Sequence, residues 1–341
     1  MSQTNYVSEL ISGQSILYLS ERDVLDLDVY DFKRALPLMV DVLRIHHAGH
    51  TRMPRSEYLG YNGRSAYDRM ISLLGYVGNG REIAGAKLIN SSTLNVRRNL
   101  PRASGILILC DTETQRIYCM ISASHVSAVR TAAITGLAIS LLRPPRVEKV
   151  ALIGSGALAW VHVRMWSQIF PEPAAVFALF DINRSRAEAL VKHCAALGVS
   201  AHVCSAAGEA IAGADIVVPA TTAGAPWIKG EWLKPGSLYA AVSLLDAELD
   251  VFTQANQVVV DDLELCTQEN RPLHVLQQRG RLRDLRVTTL GALVAGDAQI
   301  AVSGSDRIVF NPMGTVMTDL VLGASLFERA RANGAGQVLP A

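Results

Sequence analysis

The spacing of three small residues near the middle of the chain is the first sign of chemistry. Gly154, Gly156 and Ala159 follow the apolar run Lys149–Ile153 and match the pattern G-x-G-x-x-G/A. In that pattern the first glycine permits a tight turn, the second lets backbone N–H groups approach a pyrophosphate, and the third residue lets a helix pack closely. A helix N-terminus also favours an anion. The sequence therefore predicts dinucleotide contacts at the turn and the helix start, from Gly154, Ser155, Gly156, Ala157 and Leu158.

An acidic residue follows the next apolar run. Phe177–Phe180 is predicted to be a strand, and Asp181 comes directly after it. A carboxylate at this point accepts hydrogen bonds from a ribose 2′-OH and repels a 2′-phosphate. Arg184 and Arg186 lie just beyond Asp181 and could accommodate a phosphate. We therefore expect NAD as the cofactor in preference to NADP, and a glycine-rich turn without a ligand is the alternative.

The composition is that of a globular protein with a neutral balance of charge. The 341 residues are enough for about two domains at ~150 residues each, and 50% of them are hydrophobic while 18% are charged. A net charge of +1 gives no electrostatic footprint for nucleic acid or an anionic membrane. The longest apolar run, Ala132–Leu142, is too short for a membrane span and predicts a buried helix.

The cysteines and the N-terminal residues indicate the cellular compartment of the protein. The chain has five cysteines, an odd number without C-x-x-C spacing, which argues against a disulfide framework or a zinc site. The N-terminal residues "MSQTNYVSEL" lack a basic region followed by an apolar one, so no signal peptide is predicted. His46, His47 and His50 end a predicted helix without the glutamate of H-E-x-x-H, and no metal is expected. These features predict a cytoplasmic protein.

The N-terminal third has the pattern of a helix followed by several strands. Tyr30–His47 has helical periodicity. Residues 63–77, 83–91 and 104–123 are predicted strands, the last folding back at a hairpin turn over Asp111–Gln115. Strands joined by turns indicate an antiparallel or mixed sheet in an α+β domain.

After the helix breaker "RPPR" the pattern changes to alternating strands and helices. The predicted strands are Lys149–Ile153, Val176–Phe180, Asp215–Pro219, Leu238–Leu245 and Gln257–Asp262. Such alternation is typical of an α/β Rossmann fold with a doubly wound parallel sheet. Arg307–Phe310 is a further predicted strand, and the residues from Asn311 predict a turn and a long amphipathic helix that Gly334 caps.

Two cations interrupt apolar stretches. Arg130 lies at the start of a largely apolar predicted helix, and Lys87 lies within the apolar strand at 83–91. A buried cation is costly unless it is paired or used, and an arginine can clamp a carboxylate with two hydrogen bonds. Both cations could instead be solvated, Arg130 at a helix end and Lys87 on the outer face of the strand.

Polar residues follow two strands of the alternating region. Asp246 comes after the strand Leu238–Leu245, at the edge where open α/β sheets bind ligands. A carboxylate there could accept a proton from an amine and orient a water molecule, or it could cap the following turn. Thr221 and Thr222 follow "ADIVVPA" and form either a cofactor contact or an ordinary turn. Ser243 is also predicted to contact the cofactor.

Three further segments carry a family resemblance. With the glycine pattern, "GAKLINSSTLN", "SHVSAVRTAAITGLAISLL" and "ATTAGAPWIKGEWLKPGSLYAAVSL" make the chain resemble the ornithine cyclodeaminase/μ-crystallin family from about Tyr30 to Arg331. The segments "RRNLPRASGILILCDTET", "AYDRMISLL", "AVSLLDAELDVF" and "VFNPMGTVMTD" look most similar to the family's N-(2-amino-2-carboxyethyl)-glutamate dehydrogenases.

The resemblance implies an architecture and a set of site residues. Residues 1–130 and 311–341 would form a substrate-binding and dimerisation domain of a homodimer, and 131–310 an inserted NAD-binding domain, with the active site in the cleft. Arg130 and Lys87 would bind substrate carboxylates, and Lys87 or Asp246 would be catalytic. The catalytic aspartate of the cyclodeaminases lies in a "GGD" sequence, and this sequence is absent around Asp246. Further predicted contacts are, for substrate, Arg55 (or Arg52) and Arg98 near Arg102, and, for cofactor, Thr131, Thr221, Thr222, Met313 and Gly314.

The resemblance also implies a reaction. The dehydrogenases oxidise N-(2-amino-2-carboxyethyl)-glutamate with NAD and hydrolyse the imine to 2-oxoglutarate and 2,3-diaminopropionate, for siderophores or related peptides. An ornithine cyclodeaminase, which forms proline and ammonia, is the alternative on the same fold, and an NADPH-dependent imine reductase is another. A μ-crystallin-like ligand carrier is the non-enzymatic alternative.

Overall fold

A computed structural model describes residues 15–61, 68–98, 100–170, 175–243, 245–268 and 271–341. The N-terminal segment for which the sequence predicts no signal peptide lies outside these ranges, as do residues 63–67 of the first predicted strand. The chain divides into two compact units, Met1–Arg130 with Thr315–Ala341, and Thr131–Gly314. Residues 311–314, which the sequence assigns to the C-terminal segment, thus fall in the second unit.

The described residues form strands and helices throughout. The strands are β1 (Ser15–Leu19), β2 (Thr51–Arg52), β3 (Glu57–Gly60), β4 (Arg69–Val77), β5 (Ile83–Ser91), β6 (Ala103–Cys110), β7 (Ile117–Ser122), β8 (Lys149–Ile153), β9 (Val176–Phe180), β10 (Ala201–Val203), β11 (Ile216–Pro219), β12 (Leu238–Ala240), β13 (Gln257–Val260), β14 (Val287–Thr289), β15 (Ile308–Asn311) and β16 (Gln337–Pro340).

The α-helices are α1 (Glu21–Asp26), α2 (Phe32–His47), α3 (Ala123–Leu142), α4 (Ala157–Ile169), α5 (Arg184–Ala196), α6 (Ala207–Ile211), α7 (Leu249–Thr253), α8 (Leu263–Cys266), α9 (Pro272–Gln278), α10 (Leu290–Ala295) and α11 (Val316–Asn333). Short 3₁₀ helices cover Thr93–Arg98, Gly230–Trp232 and Leu282–Asp284.

The first unit contains a mixed sheet, as the sequence predicts. Its strand order is β16-β1-β7-β6-β5-β4-β2, with β3 paired to β4. The pair β1–β7 is parallel and the other pairs are antiparallel. Helix α11 packs on β4, β5 and β6, and Gly85 permits the close approach, because a Cβ there would lie 2.8 Å from Leu320 and would meet the Ile108 carbonyl.

The second unit contains an all-parallel sheet with the order β10-β9-β8-β11-β12-β15-β13-β14. The chain runs outwards from β8 to β9 and β10 on one side and then from β11 to β12 on the other, so the predicted doubly wound α/β fold is confirmed. The switch point lies between β8 and β11, where ligands of such sheets bind at the carboxyl ends of the strands. Strands β8 and β9 match their predicted ranges, since both are apolar runs buried in the sheet.

One predicted strand is too long. The run Leu238–Leu245 forms a strand only over β12, Leu238–Ala240. Beyond it the chain turns, because Ala241 N donates to Phe310 O while Val242 N donates back to Ala240 O. The residues after Ala240 are apolar because the loop is partly buried, and Leu244 lies outside the described residues.

Two helix predictions are also corrected. Helix α3 begins at Ala123, so Arg130 lies within the helix and not at its start. This helix is long and apolar enough to cross a membrane by length and composition, but most of its apolar stretch is buried, which is typical of a core helix. Helix α11 is not amphipathic over its first half, because every residue of Val316–Gly323 is buried. Gly334 caps it in the left-handed conformation, as predicted.

Candidate functional site

The glycine turn after β8 has the geometry that its sequence predicts. Gly154 has a φ of +91°, and a Cβ there would lie 2.7 Å from the carbonyl oxygen of Ala220, the residue after β11. Its N–H donates to Phe180 O at the end of β9 over 2.7 Å. Only glycine fits this position, because a side chain would be strained and would collide with backbone. The turn is thereby fixed between the two strands that flank β8.

The start of α4 has features that fit a pyrophosphate. Gly156, which has no side chain to cap the helix, is its N-cap, and no heavy atom of the described residues lies within 4 Å of a Cβ built on it. Ser155 Oγ is buried and has no hydrogen-bond partner among the described residues. Phosphate oxygens would satisfy this hydroxyl and the first amides of the helix, at Ala157 and Leu158. Ala159 is fully buried, as the close helix packing requires.

The carboxylate of Asp181 is held by two backbone amides. Ser155 N donates to Oδ2 over 2.7 Å and Asn183 N donates to Oδ1 over 2.8 Å. The adjacent Ile182 is 98% exposed, which leaves an apolar side chain beside the acid, suited to an adenine ring. Arg184 pairs with Glu188 over 2.9 Å, so one of the two nearby arginines is engaged. This arrangement fits a ribose diol better than a 2′-phosphate.

Asp246 is the centre of a second cluster in the same unit. It is 1% exposed. Thr221 Oγ1 and Trp227 Nε1 donate to Oδ1 over 2.6 and 2.7 Å, and the Ser243 hydroxyl donates to Oδ2. Ser243 Oγ also lies 3.0 Å from the Pro219 carbonyl oxygen. The structure thus brings together three predicted residues, Thr221, Ser243 and Asp246, and adds Trp227. Thr222 is exposed beside them.

Asp261, at the end of β13, holds the turn that contains Met313 and Gly314. Met313 N and Gly314 N donate to its two carboxylate oxygens over 2.8 and 2.9 Å. Gly314 has a φ of +85°, which favours glycine. Asp261 is 2% exposed, and burial raises its pKa although the backbone hydrogen bonds oppose this. The two predicted cofactor residues therefore lie on a backbone turn fixed by a buried acid.

The first unit contains a buried cluster of charge around Asp319 on α11. Lys87 Nζ donates to Asp319 Oδ2 over 2.6 Å, and the two side chains are 2% and 0% exposed. Arg130 Nε lies 3.4 Å from Asp319 Oδ1, and its side chain is 13% exposed. Ser127 Oγ is 3.5 Å from both Lys87 Nζ and an Arg130 terminal nitrogen. The outer-face alternative for Lys87 is therefore wrong, as is solvation of Arg130 at a helix end.

The cluster changes the acidity of Lys87. Burial lowers its pKa to about 8, and the positive charge of Arg130 acts in the same direction. The charge of Asp319 and its hydrogen bond oppose these effects. An ammonium with this pKa is charged at neutral pH and can lose its proton at a slightly higher pH. Lys87 can therefore bind an anion or transfer a proton.

The other predicted substrate arginines are exposed side chains of the first unit. Arg55 is exposed in the loop between β2 and β3. Arg52 is exposed too, and its guanidinium donates to the Gly49 and Thr51 carbonyls. Arg98 is exposed and lines a polar cavity of about 230 Å³ with Asp68 and Asn90, a cavity that does not include Lys87 or Arg130.

Two more predictions concern Thr131 and a metal. Thr131 follows Arg130 in α3 and is half-buried, and its carbonyl accepts a hydrogen bond from Thr135 Oγ1. Among the residues that the structure describes, no three or more His, Cys, Asp or Glu side chains are grouped as metal ligands.

Three residues of these clusters were not among the predicted site residues. Asp319 and Asp261 each follow or interrupt a run of apolar residues, which is the same signal that singled out Lys87. Trp227 lies six residues after Thr221 in a loop, and nothing in its local sequence indicates the hydrogen bond to Asp246. Partners that come from distant segments are recognised only in the fold.

A doubly wound parallel sheet with this glycine turn and this acid defines a dinucleotide-binding protein of the Rossmann class. The sequence model of the "Ornithine cyclodeaminase/mu-crystallin family" matches residues 28–334. The chain belongs to this family.

Individual relatives agree with the family. The chain is 26% identical over 332 residues to the N-((2S)-2-amino-2-carboxyethyl)-L-glutamate dehydrogenase of Staphylococcus aureus, covering 96% of this chain and 99% of the relative. It is similar to the crystal structure of CmnK, with a TM-score of 0.88 and 34% identity over 96% of this chain and 98% of that one. A Thermococcus litoralis Delta(1)-pyrroline-2-carboxylate reductase in complex with NADH and L-proline shares the fold, with a TM-score of 0.85 and 20% identity over 94% and 99% of the two chains.

Proposed function

We propose that this protein is an NAD-dependent oxidoreductase that acts on a carbon–nitrogen bond, with N-(2-amino-2-carboxyethyl)-L-glutamate as its substrate. The products are 2-oxoglutarate and L-2,3-diaminopropionate, a building block for siderophores or peptide natural products. The observation that carries the proposal is the buried Lys87–Asp319–Arg130 cluster in a family member with an intact dinucleotide turn. The full-length similarity to the Staphylococcus aureus dehydrogenase supports this substrate.

The reaction has two balanced steps. The glutamyl α-carbon loses a hydride and the amine nitrogen loses a proton, which leaves a C=N bond. Water then adds to that carbon, and cleavage of the C–N bond releases the oxo acid and the primary amine. NAD, when bound, supplies the hydride acceptor. The protein must hold the substrate carboxylates, accept a proton and admit one water molecule.

The first unit provides the carboxylate site. Lys87 and Arg130 together carry two positive charges, and Asp319 neutralises one of them. The remaining charge matches a single carboxylate of the substrate. Arg130 uses few of its five N–H donors within the described residues, so its planar end can form a two-point contact with a carboxylate. Arg55 and Arg98 are proposed to contact the other carboxylates of this tricarboxylic substrate.

The second unit provides the proton acceptor and the cofactor contacts. We assign proton acceptance to Asp246, whose carboxylate accepts hydrogen bonds from the half-buried Thr221 and Ser243 side chains. A hydroxyl that donates to a carboxylate can pass on a proton in a short relay. The turn from Gly154 to Leu158 is assigned to the pyrophosphate and Asp181 to the adenosine ribose. Thr131, Thr221, Thr222, Ser243, Met313 and Gly314 are assigned to the remaining cofactor contacts.

A homodimer in a reducing cytoplasm completes the proposal. Leu74 is 52% exposed on β4, and Leu59 on the neighbouring β3 is 59% exposed. Leu74 precedes Gly75, which faces α11, so its side chain points to the opposite face of the sheet. We expect a second copy of the chain to cover this apolar face, and Leu74→Glu should convert a dimer to a monomer in light scattering. A dimer of unchanged mass would contradict this interface.

Other activities of the family give different products. An ornithine cyclodeaminase forms proline and ammonia with no net NADH, and a carrier binds without turnover. Incubation of the protein with NAD and either N-(2-amino-2-carboxyethyl)-L-glutamate or L-ornithine separates them. NADH formed in equal amount with 2-oxoglutarate is the expected result. Proline without net NADH, or NADH formed only with another amino acid, would contradict the substrate assignment.

A further inference from the structure

We propose that Asp319 is a positioning residue of the substrate site, whose buried carboxylate holds Lys87 and Arg130 together so that both receive one carboxylate of an amino-acid substrate. The inference deepens the proposed function and rests on it for the identity of the ligand. The arrangement of the three charges is independent of that identity.

The carboxylate of Asp319 is divided between the two cations. Oδ2 accepts the hydrogen bond from Lys87 Nζ over 2.6 Å, while Oδ1 lies 3.4 Å from Arg130 Nε. The second contact is an ion pair without a hydrogen bond, since neither Oδ1 nor Arg130 Nε has a hydrogen-bond partner among the described residues. Arg130 is therefore attracted to the acid by charge, but no hydrogen bond to the acid fixes its orientation. Its guanidinium can turn towards a ligand.

The charges explain why an acid is needed between the cations. Lys87 and Asp319 are almost fully buried, so the two positive charges would repel each other strongly in a medium that screens them weakly. Asp319 offsets one charge and leaves a buried site with one net positive charge. A monoanionic group such as one carboxylate compensates this charge when it binds. A neutral ligand would leave the positive charge buried and uncompensated.

Helix α11 positions Asp319 beside Lys87. Asp319 is the one charged residue in the buried run Val316–Gly323, where a carboxylate is costly unless it is paired. The neighbouring Leu320 packs against Gly85 of β5, the strand that carries Lys87 two residues later. The glycine at 85 thus sets the helix close enough to the strand for the 2.6 Å contact.

The same contact controls the proton on Lys87. The polar groups that face Lys87 are Asp319 from α11 and Arg130 and Ser127 from α3. Burial and Arg130 lower the pKa of Lys87 to about 8, against the charge and the hydrogen bond of Asp319. Loss of the acid would lower the pKa of Lys87 further, and the ammonium would be lost at neutral pH, where it must bind the carboxylate.

The test uses Asp319→Asn, which keeps the shape of the side chain and removes its charge. Glu328→Gln is the matched control, since it is the same kind of change on the same helix at a side chain that is 65% exposed. The titration of Lys87 is followed by NMR of protein with ¹³C-labelled lysine, and Lys87→Arg assigns the signal. We expect Asp319→Asn to weaken proton binding by Lys87 about tenfold or more, and Glu328→Gln to leave it unchanged.

The kinetic part of the test separates positioning from simple stabilisation. In Asp319→Asn the KM for the substrate should rise about tenfold or more, while kcat changes less and the affinity for NAD is unchanged. In the unmodified protein KM should rise with pH as Lys87 loses its proton, and in the variant this rise should begin at a lower pH. A Lys87 titration that is the same in both proteins, or an unchanged KM, would overturn the proposal.

Two further measurements keep the outcomes distinguishable. The NMR titration needs neither substrate nor cofactor, so it can succeed even if the proposed substrate is not turned over. Asp319→Glu retains the charge and provides a second variant if Asp319→Asn does not fold. It should keep the proton affinity of Lys87 close to that of the unmodified protein, and a titration that moves as far as in Asp319→Asn would contradict a charge-based role.

Discussion

The indole Nε1 of Trp227 donates a hydrogen bond to Asp246 Oδ1 over 2.7 Å. The backbone of the same pair is joined as well, because Trp227 N donates to Asp246 O over 2.9 Å. The tryptophan therefore fixes the loop after β11 to the loop after β12, and it orients the carboxylate to which we assign proton acceptance. Thr221 and Ser243 supply the remaining hydrogen bonds to the carboxylate.

Trp227→Phe should lower kcat about tenfold or more, because it removes a hydrogen bond to a charged group that is worth about 1.5–3 kcal/mol. The aromatic ring and the backbone contacts remain, so the KM for the substrate and the affinity for NAD should change little. Steady-state kinetics and a dinucleotide titration measure the two effects separately.

Trp232→Phe is the control for that substitution. The rings of Trp227 and Trp232 lie 6.0 Å apart, so both changes perturb the same apolar contact, while only Trp227 contacts Asp246. Equal kinetic losses in the two variants would show that packing, and not the hydrogen bond, is responsible.

Asp181→Ala should weaken the binding of NAD about 10–100-fold, since the ribose diol loses hydrogen bonds to a charged acceptor. NADP binding should change less, because the same carboxylate repels a 2′-phosphate. Fluorescence titrations with both dinucleotides measure the change. Tighter binding of NADP than of NAD by the unmodified protein would contradict the cofactor assignment.

His162 on α4 should make the second unit sensitive to acid. It is 3% exposed, and burial lowers its pKa from 6.5 to about 4, although the hydrogen bond that its Nδ1–H donates to the Leu158 carbonyl opposes this. Between these two values the unfolded chain takes up a proton that the folded protein excludes. Stability should therefore fall as the pH decreases from 6.5 towards 4, by about 1.4 kcal/mol per pH unit.

Urea unfolding at pH 7 and pH 5 tests the contribution of His162. The unmodified protein should lose about 2 kcal/mol from this histidine between the two conditions, and His162→Gln should lose correspondingly less. The exposed His202→Gln should behave like the unmodified protein. The same pH dependence in His162→Gln and the unmodified protein would show that other groups are responsible.

The parts of the fold that are encoded locally could be predicted from the sequence. Strands β5 and β8 match their predicted ranges because each is an apolar run bounded by polar or glycine residues. The strand predicted over Leu238–Leu245 is too long, since an apolar sequence does not distinguish a strand from a buried loop. The sequence predicts that helix α11 is amphipathic, but its first half is buried on all sides.

In the candidate site, too, contacts within one segment could be predicted from the sequence, whereas contacts between distant segments could not. The glycine turn and Asp181 lie within one strand–helix–strand segment, so their spacing alone points to their contacts. Lys87 and Asp319 are 232 residues apart in sequence, and the sequence gives no register that would pair them. Asp246, Thr221 and Ser243 are predicted site residues because they follow strands, but nothing in the sequence indicates that Trp227 donates to the Asp246 carboxylate.

Isotope transfer from the substrate tests the proposed reaction most directly. N-(2-amino-2-carboxyethyl)-L-glutamate with deuterium at the glutamyl α-carbon is incubated with the protein and NAD, and the reduced cofactor and the products are analysed by mass spectrometry. The proposal predicts one deuterium in the reduced cofactor, in equal amount with 2-oxoglutarate and 2,3-diaminopropionate. Reduced cofactor without deuterium, or no oxidation of this substrate while L-ornithine is converted to proline, would contradict it.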